Sequence, residues 1–204
     1  MKSHKIILTD VDGVLLEMRP GLMRFLQQEK NIPIKESDWD KGYYLSDVID
    51  ITPEYAKALF IEFTHSQYFK TLCAKPCALQ VMQEMAGEGW RFIAITAAGQ
   101  NCSTQDLNKV RQNRLDNLEM HFGSVFDDIH LTHLFDCKGG ILEQYNPSYW
   151  IEDSVKNAHI GFDKGHHALI MHSMYYKQED NYRGLPVLDD WHEIYSYIQK
   201  YEKE

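Results

Sequence analysis

Short aliphatic runs alternate along this chain with stretches whose apolar residues recur at helical spacing. Residues 5–9 form a β-branched and aliphatic run that stops at Asp10 and Gly13, the pattern of a buried strand followed by a tight turn. Similar runs occupy residues 91–96, 149–151 and 168–171, with a weaker one near 124–126. Between them, Ala78, Leu79, Met82, Met85 and Ala86 share one helical face, opened by Pro76 and closed by Gly87 and Gly89. Trp191, Ile194, Tyr195, Ile198 and Tyr201 repeat in the same way after Asp189 and Asp190, whose charge suits a helix N-terminus. Strands that alternate with helices build a parallel sheet covered on both faces. The expected fold is α/β, a Rossmann-like parallel sheet with helices on both faces.

Residues 17–74 break the alternation. Tyr55, Ala56, Leu59, Phe60 and Phe63 form a helical stripe behind Thr52 as N-cap and Pro53 at the first helical position. Leu22, Phe25 and Leu26 mark an earlier amphipathic segment, and the stretch from Trp39 to Tyr44 is aromatic and polar without periodicity. This block reads as a small helical cap inserted between the first and second core strands. Residues 1–16 and 75–204 then form the core. The insertion must leave near residues 17–19, return near 73–76, and sit above Asp10.

Composition narrows the classes. At 204 residues, 44% hydrophobic and 25% charged, the chain fits an ordinary globular protein of one domain with a modest insertion. Acidic residues outnumber basic ones by 30 to 21, and the net charge of -9 disfavours non-specific binding to nucleic acid or an anionic membrane. Four cysteines are too few for a disulfide framework. No apolar run approaches a membrane span, and the N-terminal run ends at Asp10, too early for a signal peptide. A cytoplasmic location is expected.

The chemistry lies at the strand ends. Side chains two apart in an extended segment point the same way, so Asp10 and Asp12 can share one site, with Gly13 turning the backbone aside. Two carboxylates this close call for a cation, and a hard oxygen-seeking ion such as Mg²⁺ is the natural partner. Thr96 ends the second run, Lys138 precedes Gly139 and Gly140, and Glu152 with Asp153 end the next strand. In a parallel α/β sheet such positions converge on one crevice. Two acids, a hydroxyl, an ammonium and a further acidic pair are the parts of a metal-dependent phosphoryl-transfer site.

Asp10-Val11-Asp12-Gly13-Val14, Thr96, Lys138 and Trp150-Ile151-Glu152-Asp153-Ser154 resemble the four motifs of the haloacid dehalogenase (HAD) superfamily, in its phosphatase branch. The resemblance runs from about residue 5 to about residue 172. It implies Asp10 as nucleophile and Mg²⁺ ligand, and Asp12 as general acid/base that offers the metal its carbonyl. It also implies Thr96, Ala97 and Lys138 as the phosphate-binding group, and Asp153 as a further metal ligand, with Glu152 and Gly13 in support. A narrower similarity, to 5'(3')-deoxyribonucleotidases, rests on the small insertion, on Ile95-Thr96-Ala97, on Asn157 after the fourth motif, and on the tail containing Tyr182-Arg183-Gly184 and Trp191-His192-Glu193-Ile194. Glu152 stands where that family often has a second aspartate.

The expected activity is hydrolysis of a small phosphate monoester, a nucleoside monophosphate among the candidates. An alkoxide leaving group needs the proton that Asp12 can give, whereas a halide needs none. A phosphonatase-like reaction would need a Schiff-base lysine, and none of Lys35, Lys41, Lys57, Lys70 and Lys75 is singled out. A sugar phosphatase or phosphomutase fits the same scaffold. A phospho-receiver or a non-catalytic binding protein fits less well with the insertion and the complete set of acids. Trp39, Tyr43, Tyr44 and Phe69 are candidates to line a base-stacking pocket, and Arg183 to approach the phosphate or a base. Cys73 and Cys77 with His130 and His133 lack zinc-site spacing, Cys102 and Cys137 lack an activating partner, and His166-His167 suits an exposed turn.

Overall fold

The computed structural model describes residues 5–42, 44–99, 103–172, 182 and 184–203. β1 (Ile6–Thr9) is aliphatic and has a parallel strand on each side. After it come α1 (Met18–Glu29), α2 (Leu45–Val48), α3 (Pro53–His65), α4 (Gln67–Lys70) and α5 (Ala78–Gly87). The rest of the chain alternates: β2 (Arg91–Ala97), α6 (Thr104–Phe122), β3 (Phe126–Thr132), α7 (Gly139–Leu142), β4 (Tyr149–Glu152), α8 (Val155–Asp163), β5 (His167–Met171), β6 (Val187–Leu188) and α9 (Trp191–Tyr201). All strands pair in parallel, in the order β3-β2-β1-β4-β5-β6. The chain builds outward from β1 to β3, then crosses back to begin β4 on the other side. That reversal makes β1 and β4 the topological switch point, where α/β folds open a crevice beyond the strand ends.

Side chains alternate between two cores. Leu8, Ile95, Trp150 and Ile170 pack on one face with Leu142 of α7 and Ala158 of α8. Ile7, Phe92, Ile151 and Leu169 pack on the other with α5 and α9. Gly161 lets α8 lie on the Trp150 indole, since a Cβ there would sit 2.2 Å from Trp150 Cδ1. Trp191, fully buried, donates its indole N–H to the Val14 carbonyl at 2.9 Å and ties α9 to the turn after β1.

That turn also opens the insertion. The Glu17 amide donates to the Cys73 carbonyl and the Lys75 amide to the Leu15 carbonyl, both at 2.8 Å, so the outgoing and returning chains run side by side. Between them Leu22, Phe25, Leu26, Leu59, Phe63, Phe69 and Leu72 are buried together. Side chains of this size each contribute roughly 1.5–3 kcal/mol on burial. Thr52 caps α3 by accepting the Tyr55 amide, with Pro53 in the first turn. The aperiodic aromatic stretch contains a 3-10 helix, Glu36–Lys41, whose Asp38 accepts the Lys35 amide at 2.8 Å.

Several expectations change. The weak run near 124–126 is only the lead-in to β3, whose Asp127 and Asp128 are exposed because an edge strand is covered less well than a central one. β6 is too short to show as a periodic run. His166 is buried: its Nδ1 accepts the Ser148 amide and its Nε2–H donates to the Leu142 carbonyl, and burial holds its pKa below the ordinary value against the opposing effect of these bonds. His167 begins β5 instead of lying in a turn.

Candidate active site

Asp10 directly follows β1, and its amide donates to the Ile151 carbonyl of β4 at 2.8 Å, which places it across the switch point. Lys138, at the start of α7, brings its ammonium 2.7 Å from Asp10 Oδ1 and 2.8 Å from Glu152 Oε1. Asn157 also donates to Glu152 Oε1 and the Ser154 amide to Oε2, so both oxygens of this carboxylate are engaged by protein donors. Asp153 is buried beside the turn at Gly13, where φ is +81°. A Cβ at Gly13 would sit 2.2 Å from Asp153 Oδ2, so only glycine leaves room for this carboxylate.

The electrostatics of this cluster call for more positive charge. Burial, then the Glu152 carboxylate, pushes the Asp10 pKa up to about 7, against the opposing pull of Lys138. Burial, Glu152 and Asp10 together hold Asp153 well above the usual carboxylate range. Burial works against the Lys138 ammonium, but Asp10 and Glu152 hold its pKa above the ordinary lysine value. Oxygen atoms of Asp10, Glu152 and Asp153 lie within 4.8 Å of one another. One ammonium among three buried carboxylates leaves a deficit that a hard divalent cation fits. With Glu152 engaged elsewhere, Asp10 and Asp153 are the carboxylates with ligating capacity.

The other expected residues divide. Asp12 and Ala97 line the same cavity, of about 1300 Å³, as Asp10, Lys138 and Asp153. Thr96 is wholly buried one residue short of the lining, and its hydroxyl has no hydrogen-bond partner among the described residues. From the insertion, Trp39, Tyr44, Lys57 and Phe60 line the cavity. Trp39 is buried with the Arg19 guanidinium 4.6 Å from its ring, whereas Tyr44 is 66% exposed. Phe69 is no pocket wall: it packs in the core of the insertion, edge-on to Phe63. Tyr43, Cys102 and Arg183 lie outside the described residues. Cys73 and Cys77 form no metal-binding cluster with His130 and His133 among the described residues.

Two residues escaped the sequence analysis. Arg114 of α6 donates from Nη2 to both oxygens of Asp12, at 2.6 and 2.7 Å. Its signal was available, since Arg114 stands four residues from both Val110 and Leu118, placing a charge on the buried face of α6. Phe135, beside Lys138 at the cavity mouth, has φ +69°, is 60% exposed, and meets Phe60 of α3 at 6.4 Å between ring centres. A bulky residue at positive φ costs backbone strain, which nothing in the local sequence announces.

No family model matches the sequence. The chain is 27% identical over 155 residues to an uncharacterised 32.4 kDa protein from the Gp30-rIII intergenic region of Enterobacteria phage T4. The match takes in 72% of this chain and 53% of the phage protein, so the chain spans about half of that relative's length. Solved structures are similar over nearly the whole fold. A candidate HAD-hydrolase, YfnB of Bacillus subtilis bound to magnesium, superposes with a TM-score of 0.66 at 14% identity, covering 97% of this chain and 99% of that one. A candidate β-phosphoglucomutase of Thermotoga maritima gives 0.64 at 14% identity, covering 96% and 99%. CbbY of Rhodobacter sphaeroides in complex with phosphate gives 0.59 at 16% identity, covering 94% and 96%. The chain therefore has the HAD-like α/β fold.

Proposed function

We propose that this protein is a Mg²⁺-dependent phosphatase that hydrolyses a small phosphate monoester through an aspartyl-phosphate on Asp10. The observation that carries the reading is the buried set of Asp10, Lys138 and Asp153 at the switch point, under a cavity shared with the insertion. Asp10, Asp153 and the Asp12 carbonyl would hold the metal, which when bound supplies positive charge to the phosphoryl oxygens and keeps Asp10 ionised. An Asp10 oxygen attacks phosphorus as the ester P–O bond breaks, and the departing alkoxide takes a proton from Asp12. Water then attacks the phosphorus of the acyl phosphate and gives its proton to Asp12, releasing inorganic phosphate and restoring Asp10. Lys138 offsets charge on the equatorial oxygens. The hydroxyl of Thr96, without a hydrogen-bond partner among the described residues and next to the lining residue Ala97, supports a phosphate-binding role for this strand end.

The nucleotidase form of this reading is supported by the sequence resemblance and by the Tyr44 ring, which lines the cavity and is 66% exposed. The β-phosphoglucomutase likeness favours a second reading, a sugar phosphatase or phosphomutase. Residues 17–74 act as the cap in both. The test is turnover of a panel of nucleoside monophosphates and sugar phosphates. EDTA should abolish it and Mg²⁺ restore it; full activity in chelator overturns the assignment. Tyr44→Ala should reorder the panel while p-nitrophenyl phosphate turnover changes little. An unchanged ranking would show that the cap wall does not select the substrate.

A further inference from the structure

A guanidinium without solvent access lies behind Asp12. Arg114 is wholly buried and is absent from the residues lining the cavity. Nη2 alone spans both Asp12 oxygens, while Nε and Nη1 have no hydrogen-bond partner among the described residues. A buried cation with idle donors is costly, so its place is not explained by its own satisfaction. The same helix face grips the end of the insertion. The Arg114 guanidinium lies 4.1 Å from the Phe69 ring of α4, and Asn117 donates to the Lys70 and Leu72 carbonyls at 2.9 and 3.0 Å. His121 adds a contact to the Leu72 carbonyl at 2.8 Å.

A carboxylate turns easily about its last torsion, and one nitrogen bridging both oxygens stops that rotation. We propose that Arg114 is a positioning residue: it aims the Asp12 carboxylate and, through Phe69 and Asn117, makes that aim depend on how residues 69–72 return from the insertion. This rests on the phosphatase reading above. It assigns Arg114 no contact with substrate, only control of the group that handles the proton.

The test uses two esters of nearly equal shape, phenyl phosphate and p-nitrophenyl phosphate, which differ in how much their leaving groups need a proton. kcat and KM are measured with Mg²⁺ for the wild type, R114M, R114K, D12N and the D12N/R114M double variant. R114M should lower kcat on phenyl phosphate by about 10- to 100-fold and on p-nitrophenyl phosphate by much less, with KM nearly unchanged. R114K, whose shorter reach cannot bridge both oxygens, should fall between wild type and R114M. The double variant should be no slower than D12N, because both act through one group. Equal losses on the two esters, a loss confined to KM, or multiplying losses in the double variant would overturn the proposal. Should circular dichroism show R114M unfolded, R114K decides, and a wild-type ratio between the esters overturns it. A wild type that hydrolyses neither ester removes the phosphatase reading and this inference with it. An active wild type with indifferent variants removes the inference alone.

Discussion

Asp10→Asn is expected to abolish turnover, with a loss on the order of 10⁴-fold or more, because an amide cannot displace the leaving group and the neighbouring Glu152 carboxylate is held by other partners. Glu152 is engaged by Lys138, Asn157 and the Ser154 amide. The same substitution has a distinct signature in stability. Asp10 has a folded-state pKa of about 7, raised chiefly by burial from the ordinary 3.8. A raised carboxyl contributes stability that is fully present below the unfolded value and is lost as pH rises through the folded one. Metal-free D10N should therefore gain on the wild type between about pH 4 and pH 7. Mg²⁺ should then stabilise the wild type more than D10N. Urea unfolding across that interval, with and without Mg²⁺, checks both statements. A stability difference that is flat in pH would show that Asp10 is ionised without strain.

Lys138→Met is expected to cost about 3–5 kcal/mol in metal-free protein at pH 8, because it leaves buried carboxylates without their cation. Asp10 and Glu152 both meet this ammonium within 2.8 Å, and all three groups are nearly inaccessible to water. The deficit should shrink on acidification, as Asp10 takes up a proton and no longer needs the ammonium. Turnover should fall with it, since charge on the transferring phosphoryl oxygens loses its fixed partner. Unfolding measurements at pH 5 and pH 8 make the check. A loss below about 1 kcal/mol at pH 8, or one that grows towards pH 5, would contradict the role given to Lys138.

The insertion shows how physical scale limits a reading of sequence. Thr52 and Pro53 announce the start of α3 because an N-cap is a contact between neighbours three residues apart. The stretch around Trp39 announces nothing: its 3-10 helix has no periodic apolar face, and Trp39 is buried by contacts from Arg19 and other distant residues. His166 illustrates the same limit. Next to Gly165 it looks like a turn residue, yet Ser148 and Leu142, far along the chain, take up both ring nitrogens.

The sequence by itself determined the alternation of strands and helices and the place of a helical insertion. It also determined the acids and threonine that stand at or next to the strand ends and the lysine that precedes α7. Those are local facts, written in runs of a few residues whose burial and turning follow from side-chain type. Tertiary structure alone decided that β4 returns beside β1, which brings Asp10 to Lys138 and Asp153 to Gly13. It alone aimed Arg114 at Asp12 across 102 positions of chain and set Phe69 against that guanidinium instead of the cavity. Contacts between residues so far apart carry no periodicity and depend on how whole elements pack. The candidate residues of the site were therefore legible one by one, while their charge balance and the hold on Asp12 came into being only with the fold.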